Sequence, residues 1–158
     1  MHQKNAIVLF MVVEVDQSVK IEQSGETVLA FANGQKAAIV IPQRVKRAAF
    51  ATLIAKGKSR NTATLLLFAA CLYLLLKNQL KKMKKIIIDV EYEGKDTDIK
   101  AFLLRYIRRT TSDFDEEMIV FRRIGKHSPA DQKAREVRKR TDKDYRKIVL
   151  KELLRVVT

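Results

Sequence analysis

Acidic side chains stand at the ends of two apolar runs. In "MVVEVDQS", residues 11–18, Asp16 follows Val12, Val13 and Val15; in "IIIDVEYEG" the acids Asp89, Glu91 and Glu93 alternate with Val90 and Tyr92 behind three isoleucines. In an extended chain that alternation puts Asp89, Glu91 and Glu93 on one face and Ile88 and Val90 on the other. Carboxylate oxygens are the donors that hard cations such as Mg²⁺ and Mn²⁺ take, so such a face has the chemistry of a metal site. Each acid also has a plainer use. Asp16 would start a turn by accepting from backbone N–H groups, and Glu93, just before Gly94, would be a solvated strand end.

In "HSPADQKA" Ser128 and Pro129 read as the N-cap and first residue of a helix, and Asp131, three after Ser128, completes a capping-box-like start that favours the helix dipole. His127 reads as a loop histidine. Other chemistries lack material. One cysteine and two histidines make no zinc cluster, and Cys71, inside "LLLFAACLYLLL", has no internal disulfide partner and reads as a small apolar group. Gly57-Lys58-Ser59 resembles the end of a phosphate-binding loop, but Thr52 stands where that loop needs glycine, so "GKSRNT" reads as a break between helices.

The elements around these acids follow from periodicity. Ile7 to Val15, "ETVLAFANG" and "QKAAIVIP" alternate as strands do, and the short "SGE" and "NGQ" connections, with Asn33-Gly34 as a hairpin signal, make them consecutive and antiparallel. After Pro42 a helical pattern carries Val45, Ala48, Ala49, Thr52 and Leu53; a second helix, apolar nearly all round, runs through Leu80 and suits a position covered by other elements. "KKIIIDVEYEG" reads as a fourth strand in a central parallel position. "DTDIKAFLLRYIRR" is an amphipathic helix, "EEMIVFRRI" a fifth strand, and "DKDYRKIVLKELLRVV" a C-terminal helix from about 142. The chain of 158 residues, 47% hydrophobic, reads as one domain.

Net charge is +14, and no acid occurs between Glu26 and Asp89. That interval carries Lys36, Arg44, Lys46, Arg47, Lys56, Lys58, Arg60, Lys77, Lys81, Lys82, Lys84 and Lys85, and a second basic block from Arg122 to Arg155 includes "REVRKR". Such a field attracts polyanions, nucleic acid before an anionic membrane surface. The expected contact residues are Arg44, Lys46, Arg47, Lys58, Arg60, Lys126, Arg135, Arg138, Lys139 and Arg140. The apolar run from Thr62 to Leu76 is shorter than the roughly 20 residues a membrane span needs. A reducing, cytoplasmic setting is the expectation.

The order strand, strand, strand, helix, strand, helix, strand, helix resembles the ribonuclease H-like superfamily, which includes ribonuclease H, RuvC-type Holliday-junction resolvases and retroviral integrases. The resemblance covers most of the chain and implies a mixed five-stranded α/β sheet with flanking helices, the fourth and fifth strands parallel to the first. It also implies an acid on the first strand, matched by Asp16, one near the end of the fourth, matched by Asp89 or Glu91, and one near the last core helix, matched by Asp131. In ribonuclease H itself a further glutamate lies on the first helix, and here no acid occurs there. Resolvase-type members use two ligands around the last helix, for which His127 and Asp131 are the candidates.

The resemblance implies a nuclease that hydrolyses phosphodiester bonds, in branched DNA for the resolvase branch, with two Mg²⁺ or Mn²⁺ ions as cofactors and a two-fold homodimer. RNA is the other polyanion in view. The alternative is a protein that binds nucleic acid, or serves as a scaffold, through a degenerate site whose acids only cap, turn and solubilise. The missing first-helix acid supports it.

Overall fold

The computed structural model describes residues 10–158; the first residues of the expected opening strand, 7–9, lie outside them. Strand β1 (Met11–Ser18) runs on past Asp16, so the aspartate sits within a strand and does not open a turn. It pairs antiparallel with β2 (Thr27–Ala32), which pairs antiparallel with β3 (Ala37–Ile41). The turn between β2 and β3 has Asn33 at φ 82° and Gly34 at φ 94°, and a Cβ on Gly34 would meet the Met11 side chain at 2.9 Å. Both central residues at positive φ make the tight turn that matches strand twist.

Pro42 leads into helix α1 (Gln43–Ala55), which ends in a turn at Gly57, φ 89°; Ser59 then caps α2 (Arg60–Leu76), its Oγ accepting from Thr62 N at 3.1 Å. The Gly-Lys-Ser stretch is therefore the interhelical turn. Helix α2 is buried on nearly all sides, between the sheet and its helical neighbours. It stops at Leu76 instead of Leu80, and a 3₁₀ turn (Leu80–Lys82) feeds β4 (Met83–Asp89). Next come α3 (Asp96–Ile107), β5 (Ile119–Arg122) and α4 (Pro129–Arg138). Strand β4 lies between β1 and β5, parallel to both, as its isoleucine run suggested.

The sheet has six strands, not five, and the C-terminal helix does not begin near 142. Residues Arg146–Lys147 form a short strand, β6, parallel to β3, and only Leu150–Val157 coil into α5; the sheet order is β5-β4-β1-β2-β3-β6. An unpaired strand edge offers backbone donors and acceptors that a passing segment can satisfy. Ile148 N donates to Val40 O at 2.9 Å, and Arg146 is held by Glu152 at 2.7 Å and by Leu74 O at 3.2 Å. Those contacts outweigh local helical propensity.

Alternation sorts the two faces. Val13, Val15, Leu29, Phe31, Ile86 and Ile88 face the layer of α1, α2, α3 and α5, while Val28, Ala30, Ala38 and Val40 face α4 through Ala134 and Val137. The α4 face is lined with small side chains, so the helix lies close on β1 to β3 and carries its N-terminus to the end of β1 where Asp16 stands. Replacing Ala134 by Leu should overpack this layer and cost about 1–3 kcal/mol, measured by chemical denaturation.

Candidate metal centre

Three of the expected acids meet. Parallel pairing puts Val15 level with Ile88, so Asp16 and Asp89, the next residue on each strand, lie side by side at the carboxyl ends of β1 and β4. The strand ends at Asp89, and the chain beyond it brings Glu91 back onto the pair. One oxygen from each of Asp16, Asp89 and Glu91 lies within 4.8 Å of the others, and all three residues are half-buried. Together these carboxylates could hold a metal ion.

Desolvation is the largest influence on two of them. Burial raises the pKa of Asp16 to about 6 despite the Gln17 N–H that its Oδ1 accepts at 2.8 Å, with Asp89 and Asp131 adding repulsion. Burial likewise raises Glu91 to about 8, reinforced by a hydrogen bond to Asp16 and by the charges of Asp16 and Asp89. Without a cation the Asp16–Glu91 pair therefore retains a proton near neutral pH. Asp89 takes a backbone donor, Ile124 N at 2.7 Å, which ties the segment after β5 to the end of β4.

Asp131 stands close enough to raise the Asp16 pKa but outside the group of three. It performs the capping role its position suggested. Ser128 Oγ accepts from Asp131 N at 3.1 Å, Asp131 Oδ2 accepts from His127 N at 3.0 Å, and Arg135 Nε lies 3.1 Å from the same oxygen. His127 has φ 70° and its Nδ1 is 3.2 Å from Arg135. Glu93 is exposed and ion-paired to Arg123, and is not among the converging three.

Other residues around the centre were not singled out by sequence reasoning. The Tyr92 hydroxyl donates to Glu22 Oε2 at 2.9 Å and accepts from Ile21 N at 3.3 Å, while its ring meets Phe68 edge-on at 5.0 Å. Pinned in this way to the β1–β2 connection, Tyr92 fixes where its neighbour Glu91 can reach. The Gln17 amide is buried against Glu91 and Tyr92, and its contact favours the charged form of Glu91. Only the proximity of Gln17 and Tyr92 to the acids in sequence hinted at either; the 70 residues between Glu22 and Tyr92 hid their contact.

The basic candidates divide. Arg44, Arg47, Lys58, Arg60, Lys126, Arg138 and Lys139 are exposed. Lys46 is not: only 3% of it is exposed, and its Nζ donates to Gln23 O at 2.6 Å and to Thr27 Oγ1 at 3.0 Å, binding α1 to the β1–β2 connection. Its expected place among surface contacts is corrected, because the ammonium is consumed inside. Arg140, at φ 62°, pairs with Glu26 at 2.9 Å and stacks 4.8 Å from the Tyr145 ring; Arg135 pairs with Asp131. Among the described residues no helix is long and apolar enough to cross a membrane.

The raised acids carry a stability signature. Acids whose folded pKa exceeds the unfolded value contribute stability that is fully present below about pH 4 and is lost as pH rises through about 6 for Asp16 and about 8 for Glu91. In EDTA, thermal unfolding should therefore show a falling midpoint across that window, and Asp16→Asn should flatten the fall. An identical slope in the variant would mean the two acids are not coupled. Comparison of the chain with family models, curated proteins and solved structures finds no match, so the chemistry of the site rests on its own geometry.

Proposed function

We propose that the chain is a divalent-metal-dependent nuclease of ribonuclease H-like fold that hydrolyses phosphodiester bonds in nucleic acid. DNA is the favoured substrate and branched DNA the form that the resolvase resemblance implies. The observation that carries the reading is the convergence of Asp16, Asp89 and Glu91 at the carboxyl ends of two adjacent parallel strands. Support comes from the topology: three antiparallel strands, the fourth beside the first and parallel to it, and the fifth beyond the fourth. The donor set fits Mg²⁺ or Mn²⁺, since it is all carboxylate.

A pair of such ions, when bound, supplies an activated water and stabilises the leaving oxygen. The residues do the rest. Asp16, Asp89 and Glu91 would hold the cation through carboxylate oxygens, Asp16 and Glu91 giving up the proton they retain without it, with Asp89 oriented by Ile124 N. Asp131, whose Oδ2 is held by His127 N and Arg135, would add its Oδ1 to the site. Exposed arginines and lysines, among them Arg47, Arg60 and Lys126, hold the phosphate backbone. Paired cuts in a branched substrate call for a two-fold homodimer. The Arg135 grip on Asp131 and His127 favours a second reading, binding without cleavage, in which these two residues only start α4.

Cleavage of labelled junction, duplex and RNA–DNA hybrid in Mn²⁺ separates the readings. Asp16→Asn and Glu91→Gln should each lose at least about 100-fold in cleavage, since even outer-shell partners of a metal cost 10–100-fold. Mn²⁺ at about 100 times its dissociation constant should stabilise the wild type by about 2.7 kcal/mol and either variant by much less. Undiminished cleavage in both variants would withdraw the nuclease reading. Binding itself should weaken by about 10³-fold or more between about 50 and about 200 mM salt if six or more phosphates are contacted, and salt-indifferent affinity would remove nucleic acid as the partner.

A further inference from the structure

Two grooves meet at Glu22, in the β1–β2 connection. The first, about 430 Å³, reaches Glu91 and Tyr92 and is flanked by Lys20, Asn61 and Lys95. The second, about 320 Å³, lies between the β1–β2 connection and the adjoining parts of α1 and α2, where Lys46, Arg47, Phe50, Ile54 and Arg60 line it. Charge changes sign along this path. Near the carboxylates Lys20 and Lys95 face Glu22, Glu91 and Glu93, whereas in the far groove the exposed Arg47 and Arg60 face Glu22 alone.

The far groove is equipped for more than a phosphate. Arg47 stands exposed on its wall, while the Lys46 ammonium beneath is taken up by carbonyl and hydroxyl oxygens. The Arg60 guanidinium is braced 4.9 Å from the centre of the Phe50 ring, and Ile54 leaves 46% of its surface exposed beside it. A cationic wall, a planar guanidinium and an apolar patch are what an unpaired nucleotide uses, phosphate on the first and base on the others. A duplex keeps its base faces stacked inside and offers such a channel only its phosphates.

The geometry points to these joined grooves as the seat of an unpaired nucleic-acid strand leaving the metal centre, so that the substrate carries a single-stranded flank next to the cut. The direction of that strand rests on the nuclease reading; the groove's own affinity does not. Fluorescence anisotropy in EDTA at low salt tests it, with a labelled blunt duplex, the same duplex bearing a single-stranded tail, and free single strands of DNA and RNA.

Wild type should bind the tailed duplex about 10-fold or more tighter than the blunt one, as one or two stacked bases provide. Arg47→Ala/Arg60→Ala should abolish that difference, costing the tailed duplex about 10-fold more than the blunt one, and Arg47→Ala alone should reduce it. Both arginines are exposed, and an unchanged melting temperature checks that the fold survives. Equal wild-type affinity for tailed and blunt duplex, or an equal loss on both in the double variant, overturns the proposal. Mn²⁺-dependent stabilisation read on the same proteins keeps the two readings apart. A tail preference without any Mn²⁺ effect supports the groove and sinks the nuclease, and an Mn²⁺ effect without tail preference does the opposite.

Discussion

Parallel pairing of β1 with β4 sets Asp16 beside Asp89 regardless of how the two carboxylates repel. The strands cannot slide apart, because Val13, Val15, Ile86 and Ile88 are almost wholly buried on the opposite face and a one-residue slip would turn them outward. Core packing therefore supplies the force that holds the acids together. The cost appears as raised pKa values, and it is moderated by backbone donors at Gln17 and Ile124 and by the proton between Asp16 and Glu91. A cation at this point would remove most of that cost.

Everything near the centre acts to keep Glu91 and the end of β1 in place. Tyr92 fastens the segment after β4 to the β1–β2 connection, and Lys46 fastens that connection to α1 from beneath. Phe68 of α2 supports the Tyr92 ring. On the other face the alanines of β2, β3 and α4 let the helix settle close enough for Asp131 to add to the field at Asp16. The site is thus assembled from strand ends and one helix N-terminus, each positioned by a different packing layer.

The excess of cations is used in two ways. Some are spent on the protein itself: buried Lys46 on backbone oxygens, buried Lys133 on Asp142 at 2.7 Å and on Asp144 O at 3.0 Å, and the partly exposed Arg146 on Glu152 and Leu74 O. A buried ammonium must be fully bonded to be tolerated, and Lys46 shows the strain in a pKa lowered by desolvation. The exposed remainder, including Arg44, Arg47, Arg60, Lys126, Arg138 and Lys139, is free to face a polyanion. Charge counted along the chain does not distinguish the two groups.

By itself the sequence determined the local elements: the alternating strands, the Asn33-Gly34 hairpin, the Gly57 break, the Ser128 cap and the all-round apolar α2. These depend on a residue and its near neighbours, so periodicity and turn chemistry reach them. It also marked Asp16, Asp89, Glu91 and Asp131 as the acids to follow. The tertiary structure decided which of them meet. Asp16 and Asp89, 73 residues apart in the chain, are joined by the strand register, Glu93 pairs with Arg123, and Asp131 is engaged by Arg135. It decided as well that Lys46 is interior, that Glu22 touches Tyr92, and that Arg146 leaves a helical pattern to complete the edge of β3. Each of these outcomes turns on a contact between distant segments, where burial and unpaired backbone groups outweigh local propensity.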